Sequence, residues 1–138
     1  MRTVPGQPYV RVRATETGDT IFVDDTFPLA VVHMWDGRVD GKSAPLDIAE
    51  VTVRRILEDS SDPFVHSAPA PQFIVVLEGV VEVEVSDGTK RRFGPSSILL
   101  MEDTGGKGHV SRWVVEAEQA EPLALVLVLR LAQKKQEK

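Results

Sequence analysis

At 138 residues, 42% hydrophobic and 27% charged, the chain has the size and composition of one globular domain built on a single core. A formal net charge of −5 argues against a nucleic-acid partner, whose phosphates need a basic face, and the lack of cysteine excludes disulfides, a thiolate nucleophile and cysteine-type zinc sites. No stretch approaches the roughly 20 apolar residues of a membrane helix, and the opening MRTVPGQPYVRV has no continuous apolar segment like that of a signal peptide. The expectation is a cytoplasmic protein with no membrane partner.

In chain order the signals are those of strands. Val10 to Val12 and Thr20 to Val23 are short, β-branched and separated by the turn signature Thr17-Gly18-Asp19. Leu29 to Trp35 follows a proline and ends at Asp36-Gly37; His33 within it is expected as a hydrogen-bonded core or interface residue, and Trp35 as a packing residue. Ile48 to Leu57 alternates loosely and stops at the polar run from Glu58 to Pro63. Gln72 to Leu77 and Val80 to Val85 flank Glu78-Gly79 and read as a β-hairpin. Their period of two turns Ile74, Val76, Val81, Val83 and Val85 inward and Glu82 and Glu84 outward, because a slip of one residue would bury two glutamates. Lys90 to Phe93 carries the triplet Lys90-Arg91-Arg92, a solvated strand end rather than a phosphate site.

Ser97 to Met101, Gly108 to Val115 and Leu123 to Leu131 complete the set. Leu123 to Leu129 is apolar on both faces, which calls for cover on both, within a sandwich or from a second subunit. A homodimer through this strand or through Leu29 to Trp35 is therefore expected. Gln133 to Lys138 reads as a frayed, charged tail. Many short strands with turns between them make the chain all-β, an antiparallel sandwich or barrel. Gly105-Gly106-Lys107-Gly108 lacks the full phosphate-loop pattern and leads into a strand, so no nucleotide cofactor is expected. It reads as a flexible lip, with Lys107 turned to Glu102 or Asp103.

Gln72-Phe73-Ile74-Val75-Val76-Leu77-Glu78-Gly79 resembles the first signature of the cupin superfamily, and Gly94-Pro95-Ser96-Ser97-Ile98-Leu99-Leu100, closed by Gly108-His109, resembles the second. The two cover Val65 to Arg112, and His66, the Ala-Pro pair, Gln72 and Met101-Glu102-Asp103-Thr104-Gly105-Gly106-Lys107-Gly108-His109 are similar to a subgroup of small single-domain cupins. The resemblance implies a cupin double-stranded β-helix, or jelly-roll barrel, over residues 1–138, with core strands roughly from 48 to 131. The N-terminal strands from 10 to 35 would then pack on the barrel or on a dimer partner. It also implies that His66 and His109 occupy metal-ligand positions, that Gln72 stands where the glutamate ligand belongs, and that Ala68 stands where a second histidine belongs.

Two imidazoles and an amide can hold a divalent ion such as Zn, Ni, Mn or Fe if further donors complete the shell. Candidates for the missing carboxylate are Glu50, Glu102 and Asp103. Without metal, a histidine can pass a proton near neutrality and Gln72 can hold a carbonyl or hydroxyl. The reading is an enzyme acting on a small organic molecule in the barrel lumen, an isomerase, cyclase or lyase working through His66, Gln72 and His109, with Glu50 or Glu102 as a fourth member. The alternatives are a non-catalytic small-ligand binding cupin, a metal-dependent dioxygenase and a purely structural dimer. Trp113 shares the face of His109 by parity, and the facing of Arg54 is left open by the strand phase.

Overall fold

The structure is a computed structural model, and it describes residues 4–58, 68–114 and 123–133. The chain folds as β1 (Gln7–Ala14), β2 (Thr20–Phe27), β3 (Ala30–His33), β4 (Val39–Lys42), β5 (Ile48–Ile56) and β6 (Gln72–Glu78). It continues as β7 (Val81–Glu84), β8 (Lys90–Phe93), β9 (Ile98–Glu102), β10 (Val110–Trp113) and β11 (Ala124–Leu131). Three sheets result, of order β2-β1-β9-β6-β11-β5, β10-β7-β8 and β3-β4. The fold is all-β and sandwich-like, and among the described residues no ladder closes the sheets into a barrel. No helix among them is long and apolar enough to cross a membrane.

The expected strands are present, and β4 is an addition. Its sequence, Val39-Asp40-Gly41-Lys42, has no strand pattern and pairs because the Asp36-Gly37 turn folds it onto β3, with Gly37 at φ 90°. Two expectations are corrected. The stretch around Glu78-Gly79 is not a hairpin: β6 lies in the six-stranded sheet between β9 and β11, and β7 lies in the three-stranded sheet. Gly79, at φ 88°, turns the chain from one sheet to the other, and a Cβ there would sit 2.5 Å from the Leu123 carbonyl oxygen. The sandwich is also not wholly antiparallel, since β1 runs parallel to β9, Val12 opposite Met101. The N-terminal hairpin thus joins the main sheet rather than lying on it.

Between the six-stranded and three-stranded sheets lies the main core. Val12, Val76, Leu99 and Val126 from one side meet Val81, Val83 and Phe93 from the other. Burying such side chains stabilises the fold by about 1.5–3 kcal/mol each. The register is the expected one: Val76, Val81, Val83 and Val85 are buried and Ile74 packs against them. Glu82 and Glu84 face outward to Arg92 and Lys90, and Arg91 pairs with Asp24, so the basic triplet is a neutralised strand end.

On the opposite face of the large sheet a second cluster forms around Tyr9, Phe73 and Leu100, joined by Phe27, Leu129 and Leu131. It covers one end of the outward row of β11, so part of the cover expected from a partner comes from the chain itself. The packing role expected of Trp35 is corrected, since it stands 93% exposed at the β3–β4 turn, and His33 is exposed as well. The tail expectation for Gln133 to Lys138 falls, beyond Gln133, outside the described residues.

Candidate functional site

A cavity of about 330 Å3 opens between the two larger sheets. Its apolar wall includes Ile74, Val83, Leu99, Met101 and Val126, residues whose strand parity turns them inward. Gln72, His109 and Ser111 supply polar groups on that wall, and Arg54 and Glu58 line the exposed side. Gln72 begins β6 opposite Met101 of β9, while His109 enters the three-stranded sheet just ahead of β10. The two therefore approach the cavity from facing sheets. His109, Ser111 and Trp113 alternate onto the same wall, as parity from His109 required.

His109 is 4% exposed, and its Nδ1 lies 2.6 Å from Oδ2 of Asp103, which is fully buried. An ionised carboxylate can only accept, so Nδ1–H donates to it. The other oxygen of Asp103 accepts the backbone N–H of Ala68 at 3.3 Å. One buried carboxylate thus fixes the tautomer of His109 and ties down the chain two residues after His66. Gly108, at φ 86°, delivers the histidine into this position with a backbone conformation that a side chain would strain.

The glycine loop before His109 is anchored, not free. The Lys107 N–H donates to the Gly18 carbonyl at 2.8 Å and its ammonium pairs with Asp19 at 2.7 Å. This corrects the expected pairing of Lys107 with Glu102 or Asp103. Gly106 packs so closely on the first hairpin that a Cβ would lie 2.8 Å from the Ala14 methyl. The Lys107 ammonium, and after it the Thr17 hydroxyl, hold the Asp19 carboxyl below the usual carboxylate range.

The structure distributes the sequence-derived site residues unevenly. Gln72 and His109 line one cavity. Asp103 stands behind His109 rather than on the cavity wall. Glu102 points to the other face of β9, where both its oxygens accept from Arg11 Nη1 at 3.0 and 3.1 Å. Glu50 lies in the cross-strand row Gln72–Arg130–Glu50, beyond Arg130, and its Oε2 accepts from that guanidinium at 3.1 and 3.2 Å. It is exposed and is not part of the cavity wall. His66 lies outside the described residues. Among the described residues no three His, Cys, Asp or Glu side chains gather as metal ligands, and the cavity wall carries His109, Gln72 and Glu58 as oxygen or nitrogen donors of that kind.

Sequence reasoning did not assign three parts of this arrangement. Asp103 was one of several carboxylates near His109, and its role as the orienting partner follows from the loop that folds it back. Ser111 could have been found from its parity with His109. Glu58 was read only as the start of a polar run, and the phase of Arg54 is now settled toward the cavity. Compared with protein-family models and with curated proteins, the chain matches none.

Proposed function

We propose that the chain is a small jelly-roll cupin whose cavity binds and transforms a small organic molecule, with His109 as the group that moves a proton. The observation that carries this reading is the Asp103 carboxylate, which accepts from His109 Nδ1–H and from the Ala68 N–H while wholly buried. A buried carboxylate behind an imidazole holds the ring in one orientation, which is what a positioned general acid–base group requires. Gln72, on the facing sheet, offers a neutral donor and acceptor for a carbonyl or hydroxyl. The apolar remainder of the wall suits a compact organic ligand.

His66 completes the site in this reading, as the resemblance of its motif to the first cupin signature implies. The chemistry is proton transfer without a covalent nucleophile: isomerisation, cyclisation or elimination, in the cytoplasm. His109 Nε2 accepts a proton from the bound molecule and returns it at another atom, or to the leaving group of an elimination. In the metal-assisted form, His66, Gln72 and His109 would hold a divalent transition ion, which would supply Lewis-acid polarisation of an oxygen, and Asp103 would be the outer carboxylate that orients His109. A dioxygenase is less well supported. Asp103, Glu102 and Glu50 pair with His109, Arg11 and Arg130, and among the described residues Glu58 is not grouped with two other ligands.

The test is metal analysis of the purified protein before and after chelation, joined to a ligand screen by NMR against small keto- and hydroxy-compounds. His109→Ala and His66→Ala should abolish binding or turnover of the best compound while the β-sheet circular dichroism signal is retained. A compound bound and turned over equally by the wild type and both variants places the site elsewhere. Gln72→Glu restores a carboxylate and should raise metal content if the ion is part of the site. Binding that depends on the histidines but gives no product in any assay favours the non-catalytic sensor reading.

A further inference from the structure

We propose that the β5 edge joins two copies of this chain, pairing antiparallel with itself about a two-fold axis at Thr52. The six-stranded sheet has two edges, and they differ. On β2 the edge carries Asp24 and Asp25, charges of the kind that keep strand edges apart. On β5 it is nine residues long, with Val51 and Val53 left 58% and 66% exposed. No strand pairs with its outer side among the described residues. A long edge with exposed valines is a template for another strand.

The sequence of this edge is complementary to itself. In Glu50-Val51-Thr52-Val53-Arg54, antiparallel pairing about Thr52 sets Glu50 opposite Arg54 of the second copy, Val51 opposite its Val53, and Thr52 opposite its Thr52. A shift of the axis by one residue in either direction separates the opposite charges and leaves each against a neutral residue. The charges are also placed to meet. Arg54 has no ion-pair partner among the described residues, although Glu58 lies on the same cavity wall. Glu50 uses Oε2 for Arg130, which leaves Oε1 for a second guanidinium.

Backbone directions agree. The Ile56 carbonyl accepts from Leu123 on the β11 side, so by alternation the even-numbered residues of β5 bond to β11. Val51 and Val53 then present their N–H and C=O groups to the outer edge. The valines of the two copies would exchange these bonds across the axis. Their side chains, on the outward face beside Leu127 and Leu129, would meet as one apolar strip.

Light scattering of the purified protein at about 10 µM tests this with no ligand required. The wild type should show twice the chain mass. Val53→Pro removes an outward N–H that β11 does not use, a position where an edge strand tolerates proline, and should halve the mass. Arg54→Glu opposes two carboxylates across the axis and should halve it as well. The charge swap Glu50→Arg with Arg54→Glu restores the pairing and should return the mass to the dimer value, an outcome that a merely structural effect of either change would not give. A monomeric wild type overturns the proposal, as does a dimer that persists in both Val53→Pro and Arg54→Glu, or a charge swap that stays monomeric while folded.

Discussion

The bond between Asp103 and His109 sets the first expectation at the scale of single residues. Asp103→Asn keeps the shape of the side chain but removes the charge that selects the Nδ1–H tautomer, so the variant should stay folded with its proton-transfer or ligand-binding function lost. Losing one charge-assisted bond costs about 1.5–3 kcal/mol, which urea unfolding would read directly. An active Asp103→Asn variant would remove the tautomer argument. Thr20 points the other way: its hydroxyl is buried without a partner among the described residues. Replacing Thr20 by Val deletes an unsatisfied polar group at nearly constant shape, and should stabilise the protein by about 1 kcal/mol. His109 is singled out by its resemblance to the second cupin signature, and Gln72 could be read from sequence because strand parity sets it on the face of Ile74 and Val76. Asp103 as a partner could not, because a six-residue separation acquires meaning only when the loop folds back.

Turns decide much at the scale of elements. Ser96 follows Pro95 in a turn closed by a bond from the Ser97 N–H to the Gly94 carbonyl, and it adopts φ 75°, a conformation that suits glycine. Ser96→Gly should therefore raise the urea midpoint, by roughly 1 kcal/mol of relieved strain. The first hairpin and the β7–β8 turn carry three carboxylates held below their ordinary range. Asp19 is held mainly by Lys107, Asp25 by the Thr26 backbone N–H and then Arg11, and Asp87 by Thr89. A lowered folded pKa contributes stability that is present above the unfolded value near 4 and is lost as pH falls through the folded values. The unfolding midpoint should thus drop as pH falls below about 4, and less steeply in a variant with all three changed to Asn. These groups are exposed, so added salt should flatten the effect.

At the scale of the whole molecule, the two larger sheets share one core, and the cavity is the part of that interface left unfilled. Leu99 belongs to both, 1% exposed and on the cavity wall. Leu99→Ala should cost roughly 2–5 kcal/mol and enlarge the cavity, so stability falls while larger ligands gain room. The sequence by itself determined which segments extend, which way Val81 to Val85 faces, and which residue types could do chemistry. Those are local properties of period two, turn chemistry and side-chain pKa. Only the tertiary structure decided that β6 and β7 part at Gly79 into different sheets, that β1 runs parallel to β9, and that Lys107 binds Asp19. It likewise decided that Asp103, not Glu50 or Glu102, stands behind His109. Strand pairing and loop return join residues far apart in the chain, and a periodic pattern carries no information about which strand its own will meet.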